Sequence, residues 1–101
     1  DVGICGKVII IQNAMNKNVN VKIRYNSKQE ILNKEIPPVK IVKFIDKNLF
    51  YLISIENGEL AYYRIDRMID IKLTKTKSIV SDEDLKLLDI FDYGYHICNR
   101  H

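Results

Sequence analysis

The sequence has little cysteine and no long apolar run, and each scarcity removes a class of protein. Its two cysteines, Cys5 and Cys98, stand near opposite ends of 101 residues. That spacing supports neither a zinc knuckle nor a disulfide scaffold, and two free thiols in a reducing cytoplasm are expected. The longest apolar run, Leu49 to Ile53, is too short to span a bilayer. The opening Asp1-Val2-Gly3 lacks a basic leader, so no signal peptide is expected. It also lacks an initiator methionine, and the chain reads as a piece of a longer protein. There is no internal repeat and no low-complexity stretch. No acid, base and electrophile site assemble, so neither enzyme activity nor a cofactor is expected. The C-terminal His96, Cys98 and His101 offer three metal-ligand types with no partner cluster, and no metal site is expected there.

What is present is a core and an uneven charge. Hydrophobic residues make up 47% of the chain, which suits one packed domain over residues 1–101. Basic residues exceed acidic ones by 16 to 13. From Lys17 to Lys47 there are eight Lys/Arg against three Asp/Glu, whereas Ser81 to Asp92 holds one lysine and five acids. A basic front half attracts phosphates, and an acidic segment repels them.

The pattern predicts a helix over 7–16, with Val8, Ile11 and Met15 as its apolar stripe and a stop at Asn16 to Asn18. Val19, Val21, Ile23 and Tyr25 alternate with Asn20, Lys22 and Arg24, the mark of a half-buried strand. Asn26-Ser27-Lys28 reads as a turn, and Ile31 to Ile36 as the returning strand. Pro37-Pro38 removes two ladder donors and marks a bend or break. Val39 to Ile45 resumes as strand, and Leu49 to Ile55 is apolar enough to be central. Asn57-Gly58 suits a type I′ hairpin turn into Leu60–Arg64. A short connection, Ile65 to Met68, leads to a last strand over Ile69–Leu73, and Thr74 to Ser78 reads as a polar loop. Ser81 to Asp84 has the form of a helix N-cap with acids in the first turn. Its helix carries Leu85, Leu87, Leu88 and Phe91 as an apolar face. About five short antiparallel strands between two helices give an α+β layout. Strands this short around one core favour a small curved SH3-like or OB-like barrel over 19–73, with helix and tail over 81–101. A flat sheet under both helices is the competing architecture.

Four pieces, in order, resemble the WYL domain family, named for a Trp-Tyr-Leu triplet on a central strand. They are Ile23-Arg24-Tyr25 with Ser27 in the turn, Lys34 four residues before Pro38, the triplet Phe50-Tyr51-Leu52, and Tyr63-Arg64-Ile65-Asp66-Arg67-Met68. The match spans about Val8 to Thr74. Two positions depart from it. Phe50 stands for the usual tryptophan and loses the indole donor, and Lys34 stands where arginine is commoner, giving up the bidentate fork. The resemblance implies an Sm-like, SH3-type barrel in a bacterial transcription regulator. It further implies an anionic effector, a nucleotide or single-stranded nucleic acid, sensed without chemistry. DNA is then reached through a flanking helix-turn-helix that these residues do not contain.

On their own terms, Arg64 and Arg67 offer guanidinium forks for phosphate, Lys34 an ammonium, Ser27 a hydroxyl, and Tyr25 and Tyr51 hydroxyls and faces for stacking. These six form the expected ligand site. The plain alternative is a set of exposed barrel charges, with Asp66 pairing Arg64 or Arg67. Tyr51 belongs to the site only if it does not pack inward, and of Tyr62 and Tyr63, which point to opposite faces, one is core. Two other functions fit the same residues: a constitutive Sm-like nucleic-acid module, whose salt-sensitive binding switches nothing, and a homodimerisation module, which a monomer at high concentration argues against.

Overall fold

The computed structural model describes residues 3–92. The alternation at Val19 becomes the middle of a sheet. Strand β1 (Val19–Asn26) pairs antiparallel with β2 (Ile31–Ile36) on one side and with β6 (Met68–Lys77) on the other. A second antiparallel sheet is built from β3 (Lys40–Phe44), β4 (Leu49–Glu56) and β5 (Glu59–Arg64), with the apolar β4 in its middle as expected. Helix α1 (Ile4–Lys17) precedes them and α2 (Asp82–Lys86) follows.

Two points carry the chain between the sheets. Pro37 and Pro38 end β2 and open the way to β3; with no N–H to donate, neither continues the ladder. The Pro37 carbonyl instead accepts the Ser54 hydroxyl at 2.8 Å, which ties the bend to β4. The return is a 3₁₀ turn, Ile65–Arg67, between β5 and β6. Among the described residues the ladders therefore form two three-stranded antiparallel sheets and close no barrel. All six segments read as strands from the sequence form strands, against the count of about five. The last, β6, is longer than expected and runs on to Lys77, where a loop over Thr74 to Ser78 was expected. Lys77 pairs with Val19, and the Thr74 hydroxyl donates to the Asn20 carbonyl at 2.9 Å.

The two-residue turn between Glu56 and Glu59 has Asn57 at φ 54° and Gly58 at φ 77°. Positive φ at both central positions is the signature of type I′, which matches the strand twist. Asn18 closes α1 in the left-handed region, its N–H reaching the Met15 carbonyl at 3.1 Å. Ser81 and Asp84 form the expected capping box, but the α-helix lasts only to Lys86 and continues as a 3₁₀ segment, Leu87–Asp92.

The main core collects Ile11 and Ala14 from α1, Val21, Ile23 and Tyr25 from β1, and Ile36, Leu52, Tyr63, Ile65, Met68 and Ile71 from elsewhere. Each side chain of this size contributes about 1.5–3 kcal/mol when fully buried. The helix presents Lys7, Ile11 and Ala14 inward, one residue off the expected stripe, while Val8 and Met15 are half-buried. Lys7 is buried because its ammonium donates to the Met68 carbonyl at the start of β6. A smaller cluster lies on the outer face of the second sheet. There Val42 and Ile53 are covered by Phe44, Tyr51, Leu60 and Leu88.

Candidate anion-binding site

Five of the six expected residues fall in two neighbourhoods joined by the contact between Tyr25 and Tyr63, and Ser27 lies in neither. The first lies between the sheets. Register places Lys34 opposite Ile23, so its side chain leaves the core side of β2, where it is half-buried. Its ammonium donates to Glu56 Oε1 at 2.6 Å and to the Tyr63 hydroxyl at 2.8 Å, and that hydroxyl donates to Glu56 Oε2. Three polar groups from β2, β4 and β5 thus satisfy one another across the gap. The hydrogen bonds it donates to Glu56, and then to Tyr63, hold Lys34 above the usual lysine range. Burial, helped by Glu56 and opposed by Lys34, pushes the Tyr63 phenol up. Tyr63 meets Tyr25 edge-on, with ring centroids 5.2 Å apart.

The second neighbourhood is the 3₁₀ turn. The buried Tyr25 accepts the Arg64 backbone N–H on its hydroxyl at 3.0 Å, which fixes where β5 ends. Beyond that point Arg64 projects Nε and one terminal nitrogen onto Asp66, at 3.0 and 2.6 Å, a bidentate fork. The Arg64 hydrogen bonds hold the Asp66 carboxyl below the usual range, and the Arg67 charge acts in the same direction. Arg67 itself, half-buried, makes no side-chain hydrogen bond or ion pair among the described residues. Tyr51 is the cross-strand partner of Arg64 on the outer face. It is half-buried and stacks edge-on against Phe44, centroids 5.1 Å apart, so it packs outward and not into the main core.

The structure therefore brings Tyr25, Tyr51, Arg64 and Arg67 to the β5 end and the turn after it. Lys34 is linked to that end only through Tyr63 and Tyr25. Ser27 stands apart in the β1–β2 turn, where its hydroxyl donates to the Glu30 carbonyl at 2.9 Å and accepts the Glu30 N–H at 3.3 Å. Phe50 lies on the opposite face of β4 from Tyr51 and lines an open groove of about 470 Å³ with Val8, Gln12, Met15 and Ile41. None of the six expected residues lines this groove or either of the two smaller ones described. Sequence reasoning missed Glu56, whose signal was faint: an acid at a hairpin end has no period to betray a partner 22 residues away.

Cys5 is an exposed free thiol, whereas Cys98, and the His96, Cys98 and His101 triplet, lie outside the described residues. No group of metal-ligating side chains occurs among the described residues. No helix among them is long and apolar enough to cross a membrane.

No family model and no curated protein matches the sequence. Its fold is similar to part of a solved structure, proteasome accessory factor B/C (PafBC) of Arthrobacter aurescens. The superposition has a TM-score of 0.66 at 15% identity and covers 77% of this chain and 13% of that one. At that identity the likeness is one of fold alone, and the chain spans only a small part of the longer protein.

Proposed function

We propose that this chain is a WYL-type sensing domain of a cytoplasmic bacterial transcription regulator, with no catalytic activity. It binds an anionic effector, a nucleotide or single-stranded nucleic acid, at the turn carrying Arg64 and Arg67. The observation that carries the reading is Arg67, a guanidinium with no ion pair among the described residues, three positions from a second one aimed at a carboxylate. Tyr51, beside Arg64 in register, offers a ring for a base to lie against. The order of the four sequence pieces supports the family reading, and the fold shared with a segment of PafBC fits a domain set within a longer protein. DNA contact passes through a flanking helix-turn-helix outside this chain. Lys34 and Ser27 hold structure in this account, and their part in the site is indirect.

The test is a titration of a labelled single-stranded oligonucleotide at two salt concentrations. Wild type binds, and affinity falls as salt rises because phosphate contacts release counterions. Arg64→Ala weakens binding at least about fivefold. Lys86→Ala, on the acidic segment, changes nothing. Equal affinity of wild type and Arg64→Ala removes Arg64 from the site, and no binding by wild type moves the function toward a different effector or dimerisation.

A further inference from the structure

The turn at Arg64 and Arg67 makes no use of the basic excess between Lys17 and Lys47. Part of that excess stands on the outer face of the β2–β1–β6 sheet. There Lys22 and Arg24 alternate with the buried Val21, Ile23 and Tyr25, so they leave β1 on the side away from the core. Register sets Lys22 between Glu35 of β2 and Lys72 of β6, and Arg24 between Asn33 and Asp70. Lys22, Arg24, Asn33, Asp70 and Lys72, with Ile23, line one open cleft of about 160 Å³.

The charges in this cleft do not neutralise one another. Lys22 and Lys72 are like charges directly opposite across a ladder, an arrangement that destabilises a sheet. Glu35, on the other side of Lys22, accepts the Asn20 amide at 3.1 Å and forms no ion pair among the described residues. Asp70 has the Lys72 ammonium no closer than 3.9 Å. Lys22 and Arg24 make no side-chain hydrogen bond or ion pair among the described residues. Three cations thus share the cleft with one carboxylate, and two of them have no anion.

The spacing of these cations fits a polyanion. Neighbouring strands lie about 4.8 Å apart and alternate residues of one strand about 7 Å apart, so the three are spread over the face and do not converge on one point. Strands β1, β2 and β6 carry a single aromatic residue, Tyr25, and it is turned into the core. A nucleic-acid single strand is held by stacking its bases on aromatic side chains, and this face offers none. Duplex DNA keeps its bases stacked on one another and presents closely spaced phosphates on its outside. We propose that the outer face of this sheet, at Lys22, Arg24 and Lys72, holds the phosphate backbone of duplex DNA without reading its bases. This contact is made by the chain itself, in addition to the one made through a flanking domain, and it does not depend on the effector site at the turn.

The experiment titrates the full chain with a blunt-ended, labelled DNA duplex of arbitrary sequence over a range of salt concentrations. Log affinity is expected to fall linearly with log salt, with a slope of about −0.9 per phosphate contact. Lys22→Gln, Arg24→Gln and Lys72→Gln each make that slope shallower by about 1. Lys86→Gln, the same charge change on the acidic segment, leaves it unchanged, and so does Arg64→Ala. The unfolding midpoint does not fall in Lys22→Gln or Lys72→Gln, because each removes a like-charge opposition; a merely structural role for these lysines would lower it. No binding of the duplex by wild type, or a slope that the three face variants leave unaltered, overturns the inference and leaves the effector site at the turn standing. A single strand or inorganic polyphosphate that displaces the duplex as well as unlabelled duplex does, at equal phosphate concentration, overturns the assignment to duplex DNA. Loss of single-strand binding in Arg64→Ala with an intact duplex slope supports both sites as separate.

Discussion

Two charged neighbourhoods lie within one side chain of each other and are built on opposite principles. Lys34, Glu56 and Tyr63 come from three strands in two sheets and close on one another, each with partners at hydrogen-bond distance. Arg64, Asp66 and Arg67 come from one short turn, satisfy one pair locally and leave one cation over. A closed network spanning elements stabilises the fold, because opening it strands partly buried groups. A pair formed within one turn ties no elements together and stabilises little, because water and salt compete with it. Charge that contributes little to folding is free for recognition. The register of β2 is what places Lys34 in the first of these neighbourhoods.

The sharpest way to break the contrast is Glu56→Ala. It leaves the Lys34 ammonium and the Tyr63 hydroxyl without their shared acceptor, and the expected loss is about 1–3 kcal/mol by urea unfolding. A loss indistinguishable from zero makes the first neighbourhood as dispensable as the second. A smaller effect comes from pH. Lys34 is raised by its partners, so its stabilisation is complete below the ordinary lysine value and fades as pH climbs through the folded one. Tyr63, kept neutral by burial, acts in the same direction: its ionisation costs more in the folded state. Stability is therefore expected to fall above about pH 10, and Tyr63→Phe should flatten that decline, as read from unfolding midpoints at pH 8 and pH 10.5. The smallest effect belongs to the turn. Asp66 is lowered by Arg64, so its contribution is present above the ordinary aspartate range and lost as acid titrates it. Asp66→Asn at neutral pH should shift the thermal midpoint by less than about 3 °C.

What the sequence made legible was local. The β1 alternation, the Asn57-Gly58 turn, the Pro37-Pro38 break, the Asn18 stop and the Ser81 cap are each written in adjacent residues, and each stands in the structure. Strand Leu49 to Ile55 was legible as central because both of its faces are apolar. What was not legible depended on pairing. Thr74 to Lys77 is polar on both faces and looks like a loop, yet β1 gives its backbone a ladder. Lys7 reads as the solvated start of a helix, yet a carbonyl 61 residues away accepts its ammonium. Lys34 reads as a free cation until register turns it inward. Of Tyr62 and Tyr63, adjacency showed that one is core, and only the hairpin showed that it is Tyr63. The curved barrel was the inference carried furthest beyond local signals, and the structure shows two three-stranded sheets that close no barrel.

The contrast between the neighbourhoods reduces to one side chain, Arg67, and one pair of numbers. Wild type and Arg67→Ala are compared for unfolding midpoint and for affinity toward a single-stranded oligonucleotide at low salt. The account predicts an unchanged midpoint and a loss of affinity of about fivefold or more. A variant that binds as tightly as wild type, or one that loses stability as Glu56→Ala does, contradicts it.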